Sequence, residues 1–228
     1  MHLCNRLVAL LFALAVAAPV AAQNFPTKPI KLICPFPPAG SVDIASRAIA
    51  HELTKGLGQP VTVENRPGAG GNIGAEAAAK SPPDGYTLFM STSGIQAINP
   101  ALYAKMTFDQ NRELVSVAPL VSLSNVLVLH PSVKANSVKE VIAMAKAQPG
   151  KIPYASSGNG TSIHMSGAMF TQLTGIDMIH IPYKGSGPAV TDLLAGQVSM
   201  MFDNIPSALP YIKSGKLKAL ATTGAKRD

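Results

Sequence analysis

The sequence contains no tryptophan, only two cysteines, and no more than 14% charged residues. Two cysteines exclude a disulfide-built scaffold and any multi-cysteine metal site. Scarce charge set against 47% hydrophobic residues excludes a disordered chain. Basic residues exceed acidic ones by 19 to 12, a net charge of +7, yet they are scattered singly. The densest cluster is the pair Lys226-Arg227. No basic run with interleaved aromatics is present, which argues against a nucleic-acid partner. The histidines (His2, His51, His130, His164, His180) show no metal-ligand spacing with one another or with Cys34. Neither a metal nor another cofactor is expected. What is plentiful is glycine and proline, 19 of each, which promises many tight turns. The length of 228 residues suits one or two domains with a sizeable core.

Residues 1–22 read as a secretory signal peptide. Arg6 supplies the positive start, Leu7 to Ala18 is an unbroken apolar run, and Pro19 breaks it. Val20-Ala21-Ala22 then offers small residues for cleavage before Gln23. The run is short of the roughly 20 apolar residues that a spanning helix needs. The expected location is therefore the periplasm, after a cut following Ala22. Cleavage would remove Cys4 and leave Cys34 alone.

The remainder alternates strand and helix signals. Pro29 to Cys34 is a β-type run, and Asp43 to Leu57 follows with Ile44, Ala48, Ile49, Leu53 and Leu57 on one helical face. Val61–Val63 and Tyr86–Met90 read as strands around an Ala-rich helix at 72–80. Two apolar runs follow, Val115–Val121 and Asn125–His130, both expected as strands. Ser137 and Glu140 form a capping box before a helix ending at Ala147. Strands are then expected at 152–155, 178–181, 198–202 and 217–221, separated by helices at 162–173, 188–195 and 206–213. The pattern predicts an α/β fold with largely parallel sheets. It divides into 23–123 and 124–222, with a cleft between the two units.

Three strand ends run into small-residue loops that open helices: Phe36 to Ser41, Ser156 to Thr161, and Lys184 to Gly187. Helix N-termini leave unpaired N–H groups and the positive end of the dipole. Small residues let an anion approach them, and ligands of open α/β sheets sit beyond the carboxyl ends of strands. Each loop alone could be an ordinary helix cap; three together suggest a site for a small carboxylate. Enzyme signatures mostly fail. Gly68 to Gly74 has Ile73 where the third glycine of a dinucleotide loop should stand. There is no G-x-S-x-G elbow. A Ser157–His164–Asp203 triad can be written down, but any serine-rich chain allows one. Met165 and Met169, four apart, read as core.

The same residues carry a resemblance. Ile33 to Arg47 (ICPFPPAGSVDIASR) resembles the first strand–loop–helix of the Bug family, periplasmic solute-binding proteins of tripartite tricarboxylate transporters. Further matches follow in order: Glu64 to Gly74, Pro83 to Leu88, Tyr154 to Thr161, Pro182 to Ala189 and Gly215 to Leu220. The resemblance implies a two-domain clamshell of type II-like architecture that holds a small carboxylate (a di- or tricarboxylate, an amino acid or an aromatic acid). No catalytic residue is implied. The expected ligand-binding residues are Phe36, Pro38, Ala39, Gly40, Ser41, Asp43, Gly70, Ser91, Ser157, Asn159, Gly160, Thr161, Ser162, Gly185 and Asp203. The implied partners are the membrane components of such a transporter, with the receptor itself monomeric. The alternatives are a secreted hydrolase-like enzyme using Ser157 and His164, or a ligand-sensing subunit of a sensor kinase. Two departures stand out. Ala39-Gly40 replaces the paired glycines of many relatives. Relatives also continue well beyond Thr223 to Arg227, so 223–228 is expected to begin a return to the first domain, which would otherwise be incomplete and expose apolar surface.

Overall fold

The computed structural model describes residues 25–225. The expected signal peptide, its expected cut after Ala22 and the Lys226-Arg227 pair lie outside the described residues. Strand β1 (Ile30–Cys34) is a β-branched and apolar run whose residues are buried except Lys31. Helix α1 (Ser41–Leu57) follows, ending at Gly58 with φ 67°, a left-handed stop that glycine adopts without penalty. Then come β2 (Val61–Asn65), a tight 3₁₀ turn at Ala69–Gly71, α2 (Asn72–Ala79) and β3 (Thr87–Phe89). A π-type turn at Gly94–Ile98 and two single-turn helices, α3 (Asn99–Leu102) and α4 (Gln110–Glu113), complete this half.

The second half contains β4 (Asn125–Leu129), α5 (Val138–Ala147), β5 (Pro153–Ser156), α6 (Ser162–Thr174), β6 (Ile179–Pro182), α7 (Ser186–Leu194), β7 (Met200–Asn204), α8 (Ile205–Lys213) and β8 (Lys218–Thr222). The strands form a three-stranded sheet in the order β2-β1-β3 and a five-stranded sheet in the order β6-β5-β7-β4-β8. The first is parallel throughout, with Ile30 opposite Val61 and Leu32 opposite Leu88. The second departs from the expected parallel arrangement, because β4 runs antiparallel to both β7 and β8. All five residues of β4 are buried. Val126 and Val128 pack with α6, α7 and α8, while Leu127 and Leu129 pack with α5 on the other face. That double burial explains why β4 reads as a continuous apolar run rather than an alternating one.

Two sequence expectations change. The buried face of α1 is Val42, Ala45, Ile49, Ala50 and Leu53 against β1 and β2, and Ile44 is 45% exposed. The helix is rotated by its first turn, where the buried Asp43 is tied to Asn65 and Arg47. The run Val115–Val121 forms no strand ladder. It is extended chain with Val115 90% and Val117 86% exposed. Ser137, by contrast, caps α5 as expected, accepting from the Glu140 N–H at 3.2 Å.

Candidate functional site at the cleft

Four strand ends and their following turns meet between the two sheets. The first, after β1, leads through Phe36 to Gly40 into α1. Ala39 adopts φ 69°, a left-handed conformation unusual for a residue with a Cβ. Its N–H donates to Asp43 Oδ2 at 3.1 Å. Arg47 Nε also donates to that oxygen at 2.9 Å, and Asn65 Nδ2 donates to Oδ1 at 2.8 Å. Burial would raise the Asp43 carboxyl, but the donors Arg47, Asn65 and Ala39 outweigh it and hold it below its usual range. This carboxylate shapes the loop, and it leaves the Ala39 N–H engaged internally.

The second turn, Ser157 to Thr161 after β5, uses glycines at φ 121° (Gly158) and 83° (Gly160). Thr161 is the N-cap of α6, its Oγ1 accepting from the His164 N–H at 3.3 Å and donating to the Gly158 carbonyl at 2.8 Å. Two histidines brace this turn from behind. His180 Nε2 lies 2.6 Å from Ser156 Oγ, which itself accepts from the Gly158 N–H. His164 Nδ1 accepts from the Gly160 N–H at 3.3 Å. The two rings stack with centroids 4.3 Å apart. Burial, then the neighbouring His164, pushes His180 down to about 4, and burial also lowers His164. Ser156 is fully buried, so its pairing with His180 is structural. Ser157 makes no hydrogen bond to a histidine among the described residues.

The third and fourth turns come from β6 and β7. Gly185 precedes Ser186, the first residue of α7, whose Oγ donates to Asp203 Oδ1 at 2.7 Å. Ser207 Oγ donates to Asp203 Oδ2 at 2.6 Å and accepts from Ser41 Oγ at 3.1 Å. A hydroxyl chain thus crosses the cleft from α1 to a buried acid. Asp203 is 0% exposed. Burial raises its carboxyl, and the hydrogen bonds from Ser207 and Ser186 only partly oppose this.

Two cavities open between these turns. The smaller, about 60 Å³, is lined by Phe36, Gly40, Ser41, Ser157, Thr161 and Ser162 among the expected residues. Val42, Thr92, Ser93, Gly94, Ser186 and Asn204 complete it. Among the described residues no charged side chain lines it. Its donors are the hydroxyls of Thr92, Ser93, Ser157 and Ser162, the Asn204 amide and the first turns of α1, α6 and α7, since Ser41, Thr161 and Ser186 donate within the protein. A larger cavity of about 180 Å³ shares Phe36 and Ser157 with it and adds the expected Gly70 and Asn159. The rest of its wall is the glycine turn at Gly68, Ala69 and Gly71, with Tyr103, Gly158 and the Pro182–Lys184 segment. Pro38, Ala39, Asp43, Ser91, Gly160, Gly185 and Asp203 line neither cavity. Of these, Asp43 and Asp203 organise their turns, Ser91 Oγ accepts from Gln96 Nε2 at 2.8 Å, and Gly160 and Gly185 are backbone supports. The Thr92–Gly94 wall was missed although it follows β3, as the strand-end rule would have flagged. Among the described residues no cluster of three metal-ligating side chains occurs. No helix there is long and apolar enough to cross a membrane.

Two α/β halves with facing helix N-termini around a cleft define the class of two-lobed binding proteins. The profile described as the tripartite tricarboxylate transporter family receptor, TctC, matches residues 45–228, and the chain belongs to this family. It is similar to protein BugT of Bordetella pertussis, 44% identical over 214 residues, covering 93% of this chain and 66% of that protein. A Cupriavidus necator protein is 37% identical over 94% of this chain and 64% of its own length. Among solved structures, periplasmic binding protein BugD aligns with TM-score 0.85 at 33% identity, covering 89% of this chain and 68% of the other. An R. palustris protein with adipate aligns at 0.84 and 35%, covering 89% and 68%. MatC from Rhodopseudomonas palustris, with bound malate, aligns at 0.85 and 30%, covering 90% and 69%. The chain spans less than two thirds of the length of the curated relatives it matches.

Proposed function

We propose that this protein is a periplasmic receptor that captures a small carboxylate in the cleft and presents it to the membrane components of a tripartite tricarboxylate transporter. In this reading it acts as a monomer, is exported by residues 1–22, and performs no catalysis. Residues 23–123 and 124–222 are its two lobes. The observation that carries the reading is the small cavity: three helix N-termini converge on it, hydroxyls line it, and no acid faces into it. A carboxylate there meets N–H and O–H donors on several sides. Its body extends past Phe36 toward the larger cavity and Lys184. The malate and adipate held by the two R. palustris relatives support an aliphatic acid as the class to test first.

Titration calorimetry with malate, adipate and a panel of other carboxylates tests the reading. Binding of at least one acid, and none of the matching amide, is the expected result. Ser157→Ala should weaken that binding by about 1 kcal/mol, the net size of one hydrogen bond. Gly160→Val should weaken it more, since φ is 83° there and a Cβ would press into Asn99. Unchanged affinity in both variants would remove the proposed site.

A further inference from the structure

A cleft protein closes until atoms of its two halves touch. Besides Gly160, whose Cβ would press into Asn99, three more glycines bring the halves closer than a Cβ allows. Gly70 lies against the Asn159 carbonyl and Gly185 against the Pro37 ring, both nearer than a Cβ permits. The third is Gly94, where a Cβ would stand 2.6 Å from the Gly160 carbonyl oxygen.

Gly94 differs from the other two in its backbone. Gly70 has φ 62° and Gly185 φ 157°, so each has a local reason to be glycine. Gly94 is outside the positive-φ set and opens the helical turn Gly94–Ile98. Alanine suits such a position at least as well as glycine. The three atoms nearest to a Cβ at Gly94 are Gly160 O, Gly160 C and Thr161 Cα, all in the opposite half. None of these three atoms belongs to its own half. The missing side chain therefore answers to the partner loop alone.

We infer that Gly94 sets how far the cleft closes, its bare Cα admitting the Gly160 carbonyl so that the Ser157–Thr161 turn can complete the small cavity. The obstacle it avoids is a backbone carbonyl in a turn pinned by Thr161 and by the two histidines, so it cannot swing aside as a flexible side chain would. A methyl group at Gly94 holds the halves apart while leaving each half intact. The inference rests on the carboxylate-receptor reading for its purpose, but its geometry can be tested without a ligand.

Ser41 Oγ and Ser207 Oγ face each other across the cleft at 3.1 Å. In a Ser41→Cys/Ser207→Cys protein, the rate of disulfide formation reports closure directly. Cys34 is buried and stays apart, and mass spectrometry of the 41–207 cross-linked peptide gives the readout. Adding Gly94→Ala should slow cross-linking at least tenfold. Gly56→Ala, where a Cβ meets nothing within 4 Å, should leave it unchanged. Far-UV circular dichroism and melting of Gly94→Ala should match the parent. Cross-linking as fast as the parent overturns the inference. So does a Gly94→Ala protein that fails to fold, because the methyl is argued to fit its own half. Absence of carboxylate binding by the unsubstituted protein would instead defeat the receptor reading and leave the cross-linking result standing.

Discussion

The two halves of the molecule differ in how their sheets are finished. The five-stranded sheet has a buried cluster on each face, and its central β4 has no exposed residue. The three-stranded sheet has one cluster under α1 and a smaller one built from Ala75, Ile95 and Phe108. After it the chain runs from Val115 to Leu123 with its apolar side chains in water. They also differ in backbone. The non-glycine residues with positive φ among those described, Ala39 and Ala69, lie in the first half, whereas the second uses glycine at every such position. Buried area and relaxed backbone thus concentrate in the second half, and strain and exposed surface in the first. The cleft joins a firm wall to a less firmly built one.

The largest expected contrast comes from the strand between the second half's clusters. Leu127→Ala removes a 1%-exposed side chain and should cost about 2–5 kcal/mol in urea denaturation. A loss under 1 kcal/mol would mean that the β4 core is not what holds that half together. Acid should act next, and in the second half. The folded His180 titrates near 4 and the unfolded imidazole near 6.5, so between those values the unfolded chain binds the extra proton. Stability from this group is complete above 6.5 and declines as pH falls toward 4. Asp43 and Glu64 of the first half sit below their ordinary carboxylate values and respond only to stronger acid. Melting curves between pH 7 and 4.5 should therefore slope less for His180→Gln than for the parent; equal slopes would refute the assignment.

Ala39→Gly should stabilise the first half. Glycine holds the same left-handed conformation without alanine's Cβ clash, and the relief of about 1–2 kcal/mol exceeds the 0.4–1 kcal/mol of added unfolded-chain freedom. A net gain of about 0.5–1 kcal/mol is expected from thermal denaturation, and a loss would show that the methyl group packs usefully. The smallest effect belongs to Val117→Ser. At 86% exposure the side chain contributes little, and stability should stay within about 0.5 kcal/mol; a larger loss in thermal denaturation would show that this segment is covered.

What could be read from the residues follows the range of the forces involved. Local signals were sufficient for the Ser137 cap and for the three small-residue loops, because each rests on a few neighbouring residues. Pairing partners were not legible. Val115–Val121 has the composition of a strand, but a strand exists only where another chain segment accepts its N–H groups. The same limit hid the antiparallel setting of β4, whose apolar run is equally compatible with either direction. In the site, Ser186 and Asn204 were missed beside the expected Gly185 and Asp203. Which of two adjacent residues faces a cavity depends on how each turn leaves its strand. The rotation of α1 likewise depends on Asn65, distant in sequence, gripping Asp43.

The absence of charged side chains around the small cavity has a consequence for the environment in which capture happens. A site built on fixed cations weakens as salt screens them. On the proposed reading the attraction would come from oriented N–H and O–H dipoles at contact distance, well inside the roughly 8 Å over which physiological salt screens. The dissociation rate of a bound acid should thus change little between dilute and saline media, while the net positive charge that remains after Arg6 is cut away makes the association rate alone salt-sensitive. A cell surrounded by water of changing salinity would keep its grip on the ligand and lose only some speed in finding it.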